Sequence, residues 1–150
     1  MNVTEPFDPR SYAMTAHGTY LALFRPTPRG AEEERLRTIL IIDQDRTTAH
    51  QFALACLDRA IGAALVDTVS DGVRLLLTET VSLIVVEPSL VHLGAREQAL
   101  LFDRVAPGVP VVIAAPPTLS LEARVGWELV GFTVITRPVD VEDLLKITAR

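Results

Sequence analysis

From Thr38 onward, runs of aliphatic residues alternate with segments in which apolar residues recur at helical spacing. The runs are typical of strands buried on both faces of a parallel sheet. They lie at 38–43, 64–69, 82–87, 109–115 and 132–136. The helical segments cover 46–61, about 70–79, 95–105, 119–130 and 139–148. This alternation predicts an α/β fold, a doubly wound five-stranded parallel sheet with helices on both faces.

Cap and turn residues set the expected ends of these elements. Gly62 stands where a left-handed residue would end the first helix. Ser70 and Asp71 can cap the second helix, because their side chains accept hydrogen bonds from free backbone amides. Pro88 should end the third strand, since a proline restricts the residue before it and has no amide to donate.

Residues 1–36 have a different pattern from the rest. They hold four prolines and a charged run at 31–35, interrupted by a short apolar patch at 20–24. This composition predicts a flexible N-terminal extension, irregular or partly helical, that is either loose or docked through the apolar patch. The chain is therefore expected to divide into an extension, 1–36, and one domain, 37–150.

Composition excludes several classes of protein. The 150 residues are 49% hydrophobic and carry a net charge of −5, which argues against direct nucleic-acid binding. Cys56 is the only cysteine, so neither a disulfide framework within the chain nor a cysteine-built metal site is expected. The first residues lack the apolar core of a signal peptide, and no apolar run is long enough to span a membrane. We expect a cytoplasmic protein without membrane attachment.

The residues that end the predicted strands are the candidates for function. In a doubly wound sheet, sites form at the carboxyl ends of the strands. Asp43 ends the first strand, Glu87 the third and Ala115 the fourth, and Arg137-Pro138 follow the fifth. Two acids and one guanidinium should therefore meet at one edge of the sheet.

Other kinds of site are disfavoured. Asp43-Gln44-Asp45-Arg46 follows the first strand, where a nucleotide-binding fold would carry a glycine-rich phosphate loop. His17, His50 and His92 are scattered, and each is expected to be a surface residue rather than a metal ligand. No nucleophile elbow is present. We expect no enzymatic activity and no cofactor.

The regular part of the chain resembles the receiver domain of bacterial two-component response regulators, the CheY-like superfamily. The resemblance rests on four segments. They are Ile39-Leu40-Ile41-Ile42-Asp43-Gln44-Asp45, Leu83-Ile84-Val85-Val86-Glu87, Pro110-Val111-Val112-Ile113-Ala114-Ala115 and Gly131-Phe132-Thr133-Val134-Ile135-Thr136-Arg137-Pro138. The key positions lie 44, 28 and 22 residues apart (43 to 87, 87 to 115, 115 to 137), similar to the family's spacing. The resemblance implies a flavodoxin-like sheet with strand order 2-1-3-4-5.

The resemblance also implies a site that departs from the family's pattern. Asp43 matches the first of the family's two acids and Pro138 matches its proline. The departures are Gln44 for the second acid, Glu87 for the phosphorylated aspartate, Ala115 for the hydroxyl residue, Val134 for the switch aromatic and Arg137 for the lysine. The family therefore supplies the expected fold, while its phosphorylation chemistry is in doubt.

These departures predict a receiver that does not depend on phosphorylation. Glu87 is longer than aspartate by one methylene, which displaces the acceptor carboxylate, and a displacement of ~1 Å can cost ~10²-fold in rate. Gln44 removes ligand charge, so we expect no metal, or weak Mg²⁺ binding by Asp43, Asp45 and Glu87 at most. Glu87 and Arg137 should either form an ion pair or be solvated separately.

Two alternatives remain open. The protein could be a true phosphoacceptor that uses Asp43, Asp45 or Glu87 with Mg²⁺, or a small flavodoxin-like ligand-binding module. The resemblance implies protein partners: a histidine kinase, another regulator, or an output protein that supplies the missing output domain. It also implies a homodimer through the face at about 119–147, which holds Trp127.

Overall fold

The protein's structure is a computed structural model that describes residues 11–16, 19–25, 37–88 and 93–148. The described strands form one seven-stranded sheet in the order β1-β2-β4-β3-β5-β6-β7. They are β1 (Ser11–Ala16), β2 (Thr19–Phe24), β3 (Thr38–Ile42), β4 (Gly62–Val66), β5 (Leu83–Val86), β6 (Val111–Ala115) and β7 (Thr133–Thr136). The helices are α1 (Arg46–Leu57), α2 (Val69–Leu76), α3 (Ala95–Val105), α4 (Leu121–Leu129) and α5 (Val141–Thr148).

The five strands from β3 to β7 confirm the predicted doubly wound sheet. All pairings among them are parallel, in the order β4-β3-β5-β6-β7. Counted from β3 as the first, this is the order 2-1-3-4-5. Because parallel strands need crossover connections, all five end at the same edge of the sheet, where the following loops begin.

Side chains that alternate along the central strands fill two separate cores. Ile39 and Ile41 of β3 pack with α1 and α5 on one face, while Leu40 and Ile42 pack on the other with α2, Phe102 of α3 and Trp127 of α4. Every residue of β4, β5 and β6 is buried. Unbroken aliphatic runs are what such two-sided burial requires, and the buried apolar area is the main stabilising contribution.

The structure corrects two of the predicted helix ends. The residue with a positive φ at the end of α1 is Ala60, at φ 58°, whereas Gly62 begins β4 and pairs with Thr38. The cap of α2 is Thr68, whose side chain accepts from the backbone N–H of Asp71 at 3.1 Å. Both errors follow from placing the second strand about two residues too late, since pairing with β3 fixes where β4 starts and stops.

The described part of the N-terminal extension is a β-hairpin, so the prediction of an irregular or partly helical segment was wrong there. β1 pairs antiparallel with β2, and β2 pairs antiparallel with β4. The apolar patch at 20–24 docks on the sheet edge, with Ala22 and Phe24 in one core and Leu23 in the other. Residues 1–10, 17–18 and 26–36 lie outside the described residues, so the domain division at 36/37 stays a prediction.

The hairpin is also held to α1 by polar and aromatic contacts. The Tyr20 hydroxyl lies 2.9 Å from Nε2 of His50, whose Nδ1 lies 2.6 Å from the Arg46 carbonyl oxygen. Because a carbonyl can only accept, Nδ1 of His50 donates and Nε2 accepts from Tyr20. Arg46 lies over the Tyr20 ring, 3.9 Å from its centroid, and contacts Asp67 at 2.6 Å. His50 therefore supports the hairpin and is not a free surface residue.

No helix in the described part of the chain is long and apolar enough to cross a membrane.

One buried side chain in α3 lacks partners. The side chain of Gln98 is fully buried, and neither its amide nitrogen nor its amide oxygen has a hydrogen-bond partner. Leaving a buried polar group unsatisfied costs about 1–3 kcal/mol. Gln98 therefore contributes less to the stability of the core than an apolar residue of the same shape would contribute.

We expect Gln98→Met to raise the free energy of unfolding by about 1–3 kcal/mol, because methionine has a similar shape and needs no hydrogen bonds. Urea denaturation followed by circular dichroism measures this change. Gln51→Met, at an exposed position of α1, is the control and should change stability little. A destabilised Gln98→Met variant would show that the amide has a partner in solution.

Candidate functional site

Three residues of the candidate site are placed in register by backbone hydrogen bonds to the ends of neighbouring strands. The Asp43 N–H donates to the Val66 carbonyl at 3.0 Å, and the Glu87 N–H donates to the Ile42 carbonyl at 3.0 Å. The Arg137 N–H likewise donates to the Ala115 carbonyl at 2.8 Å. The ladder thus continues one residue beyond the strands and brings these side chains to one edge, as the sequence predicted.

Asp43 and Arg137 form the central contact of this site. Nη2 of Arg137 donates to Oδ2 of Asp43 at 2.7 Å, across the ends of the two strands that separate β3 from β7. The side chains retain 11% exposure for Asp43 and 26% for Arg137, so the pair is largely withdrawn from water. Oδ1 of Asp43 accepts from the backbone N–H of Asp45 at 2.9 Å. Both carboxylate oxygens of Asp43 are therefore engaged.

The pKa of Asp43 is raised above its ordinary value of 3.8. Burial is the main cause, because it disfavours the charged carboxylate. The Asp45 amide and the Arg137 guanidinium oppose the rise, while the negative charges of Glu87 and Asp45 add to it. The contribution of Glu87 shows that the two acids share one electrostatic environment.

Asp45 has a structural task in the loop that follows β3. It is the N-cap of α1: Oδ1 accepts from the Thr48 backbone N–H at 3.1 Å, and Oδ2 accepts from the Thr48 hydroxyl at 2.7 Å. These hydrogen bonds lower the pKa of Asp45. The neighbouring Gln44 is exposed. The side chain that the sequence offered as a substitute metal ligand therefore has both oxygens committed to its helix.

The remaining predicted positions lie where the strand order places them. Glu87 is half-buried, directly after β5, and Ala115 is almost fully buried at the end of β6, with only a methyl group to present. Val134 is buried in β7, and Arg124 of α4 donates to its carbonyl at 2.9 Å. Pro138 is exposed and follows a cis peptide bond.

The residues at this edge do not fit a divalent cation. Mg²⁺ needs several oxygen ligands in near-octahedral geometry. Among the residues that the structure describes, no three His, Cys, Asp or Glu side chains form a group that could hold a metal ion. Asp43, Asp45 and Glu87, the ligands that the sequence allowed, do not form such a group. The arrangement of these three carboxylates therefore does not support chemistry through a metal bound between them.

A groove opens beside the ion pair, between α1 and α5. Its volume is about 470 Å³, and Asp43 and Arg137 lie on its wall. Its apolar lining includes Phe52 and Ala55 of α1 and Val139, which precedes α5, together with residues of β3, β5 and β6. Arg59 also lines the groove and pairs with Glu142 at 2.6 Å. The site is thus reached from the α1–α5 side.

The Asp43–Arg137 pair is the feature that sequence reasoning missed. The sequence left open whether Arg137 would pair with Glu87 or whether the two side chains would be solvated separately. Asp43 was instead considered as a metal ligand. A signal was present in the sequence: Gln44 removes one of the two neighbouring acids, and a lone buried acid needs a cation close by.

We predict that Asp43 titrates with a pKa above 3.8 and that Glu87→Gln lowers this pKa by removing a nearby negative charge. Carbon-13 NMR of the carboxyl group measures both values. Because the folded pKa lies above the unfolded one, this carboxyl subtracts stability as pH rises from the unfolded pKa through the folded pKa. Asp43→Asn should abolish that decline in chemical denaturation, whereas an Asp43 pKa at or below 3.8 would contradict the prediction.

Comparison with known proteins supports the fold through structure rather than sequence. Neither a scan against protein-family models nor a search of curated proteins gives a match. Solved structures do match. A receiver domain protein (CheY-like) from Methanospirillum hungatei JF-1 is similar, with 22% identity, a TM-score of 0.64, and coverage of 76% of this chain and 91% of that one.

Two further matches are response-regulator structures. One is a response regulator from Burkholderia pseudomallei with a phosphorylated aspartic acid, a calcium ion and citrate, at 20% identity and a TM-score of 0.63. It aligns with 73% of this chain, which spans 64% of its length. The other is the beryllofluoride-activated NtrC4 receiver domain dimer, at 12% identity and a TM-score of 0.64, covering 75% of this chain and 93% of that one. The chain therefore has the fold of response-regulator receiver domains, with an added N-terminal hairpin.

Proposed function

We propose that this protein is an atypical receiver domain of two-component signalling, a pseudo-receiver that acts by protein–protein interaction without being phosphorylated. The observation that carries the proposal is the ion pair between Asp43 and Arg137, 2.7 Å apart and largely buried at the strand ends. Of the two neighbouring acids of the family, this chain retains only Asp43. In the ion pair, Asp43 has a cation of the protein itself, Arg137, as its partner. The Burkholderia structure, by contrast, contains a phosphorylated aspartic acid and a calcium ion.

Phosphoryl transfer to a carboxylate depends almost entirely on positioning and on charge neutralisation by a metal. Here the side chain after β5 is Glu87, whose extra methylene moves the carboxylate, and Ala115 offers no hydroxyl to the incoming phosphoryl group. Asp45 caps α1 through both oxygens. Each of these changes removes a part of the transfer machinery, and nothing in the described site replaces it.

Glu87 supplies a fixed negative charge where a phosphoryl group would add one. A carboxylate carries about −1, against about −1.5 to −2 for a phosphate, so the mimicry is partial. Arg137 stays on Asp43 while Glu87 contributes its charge to the same edge. The site would thus hold a single electrostatic state, and its output would follow from which proteins recognise that state.

We predict that incubation with acetyl phosphate and Mg²⁺ leaves the intact mass unchanged. The matched control carries Gln44→Asp, Glu87→Asp, Ala115→Thr and Arg137→Lys, which restore four of the family's residues and should give at least a small fraction of adduct at about +80 Da. A stable adduct of that mass on the wild-type chain would overturn the proposal and favour a true phosphoacceptor, and peptide mapping would then locate it on Asp43, Asp45 or Glu87.

The interacting surface we propose is the outer side of α4, with a second copy of the chain as partner. α4 has no buried residue, and Leu121, Val125 and Leu129 follow one another at four-residue spacing on its outer side. Leu121 is 76% exposed and Leu129 is 80% exposed. On the opposite side Trp127 packs against Phe132, with ring centroids 5.4 Å apart. The helix is thus anchored by one face and presents an apolar stripe on the other.

This stripe is self-complementary. In an antiparallel pairing of two α4 helices about a two-fold axis at Val125, Leu121 of each copy faces Leu129 of the other. Arg124 and Glu128 lie on one flank of the stripe, 3.8 Å apart within the helix. Arg124 also donates to the Val134 carbonyl at 2.9 Å, so its guanidinium is held by β7 and the pairing of two copies rests on the apolar stripe. The stripe lies within the face at 119–147 that the family resemblance implied.

We expect wild-type protein to dimerise and Leu129→Glu to raise the dissociation constant by about 10²-fold or more, because an unpaired carboxylate would be buried. Multi-angle light scattering across a concentration series measures this. Leu77→Glu is the matched control, since Leu77 follows α2 and is also exposed. Equal effects of the two substitutions, or a monomeric wild type, would mean that α4 does not pair with a second copy.

A further inference from the structure

The pocket around Asp43 already contains a cation, and that cation belongs to the protein. Oδ2 of Asp43 accepts from Arg137 at 2.7 Å, and Oδ1 accepts from the Asp45 backbone N–H at 2.9 Å. The two donors together satisfy both oxygens of a carboxylate that is mostly shielded from water. Its charge compensation therefore comes from the chain itself.

The position of the guanidinium conflicts with a metal ion on the same oxygen. An Mg²⁺ ion would stand about 2.1 Å from a ligand oxygen, within the space next to Oδ2 where Nη2 of Arg137 lies at 2.7 Å. Two positive groups that close repel strongly where water is scarce. For a metal to bind, Arg137 would have to leave Asp43. The ion would then be held by Asp43 without Asp45 or an acid at position 44, so its binding would be weak.

A guanidinium attached to the chain also differs from a metal ion in how constantly it occupies the site beside Asp43. Arginine is protonated at every relevant pH, and its planar fork suits a carboxylate. Because it is covalently attached to the strand end, its local concentration does not depend on the solution. The backbone N–H of the same residue is fixed to the Ala115 carbonyl at 2.8 Å, so both ends of the arginine are held.

We propose that Arg137 is the resident cation of the Asp43 pocket and makes the site insensitive to divalent cations. This inference rests on the proposed function, in that it explains how the site keeps one charge state, but it concerns metal binding and not phosphorylation. The regulation of this receiver would then be independent of the concentration of Mg²⁺. Removal of the guanidinium should convert the pocket into a weak cation site.

The test is a titration of the full chain with Mn²⁺, followed by electron paramagnetic resonance of the free ion, with Mg²⁺ competition. Wild type should bind no Mn²⁺ at the site below about 10 mM, and Arg137→Ala should bind at least about tenfold more tightly, since Asp43 loses its competing cation. With MgCl₂ at about 20 mM, against NaCl of equal ionic strength, the variant's melting temperature should rise by about 3 °C or more and that of wild type should not.

Arg59→Ala is the matched control, because it removes the same charge from the same groove but from a residue paired with Glu142; it should gain no affinity. Asp43→Asn combined with Arg137→Ala should lose the gained affinity. If Arg137→Ala does not fold, Arg137→Met preserves the apolar stem of the side chain and takes its place.

Saturable binding of Mn²⁺ to wild type that Asp43→Asn abolishes would overturn the inference. So would a folded Arg137 variant with no gain, or a gain that survives the loss of Asp43. Wild type that binds the metal but forms no phosphoryl adduct would contradict this inference while leaving the proposed function intact. A phosphoryl adduct on wild type that binds no metal would contradict the proposed function while leaving this inference intact.

Discussion

The parallel pairing of β3 with β4 on one side and β5 on the other is the constraint on which the rest of the structure depends. Ile39 to Ile42 are paired on both sides, so the position of β3 along the sheet is fixed twice. The hydrogen-bond ladder continues past the strands to Asp43 and Glu87. The site is therefore a consequence of sheet register, and its residues meet because their strands end together.

The charges gathered at this edge set the electrostatics of the candidate site. Asp43 is costly to bury as an anion, and Arg137 offsets part of that cost without removing it, since the pKa of Asp43 remains raised. A buried ion pair is weak evidence for stability, because desolvation can exceed the attraction. The pair is better understood as setting the charge of the pocket, which Glu87 makes more negative.

The hairpin changes the edge of the sheet that the receiver fold would otherwise expose. β2 covers β4, so β4 is paired on both sides and all its residues are buried. Unpaired strand edges can template association with other chains, and among the described strands the hairpin moves this edge from β4 to β1. The contacts of Tyr20 with His50 and Arg46 tie the hairpin to the first turns of α1. That helix begins beside the Asp45 cap, so the hairpin supports the loop of the site.

The sequence by itself determined the class of fold and placed Asp43, Glu87 and Arg137 at the ends of its strands. Short aliphatic runs bounded by turn residues favour strands buried on both faces, and α3 was predicted at the bounds observed, 95–105. The sequence alone could not identify the hairpin. The two short segments that form β1 and β2 lie beside prolines and charged residues, and they become strands only because β4 offers them an edge.

Tertiary structure alone decided which charges pair. Asp43 and Arg137 are 94 residues apart, and local pattern does not state which of two acids a guanidinium will reach. Asp45 differs, because its contact with Thr48 is local, three residues along the chain, and belongs to the start of α1. Periodicity carries the information for elements because burial acts on every residue of a strand or helix. An ion pair depends on the angle and distance of two side chains, and only the packed sheet fixes those.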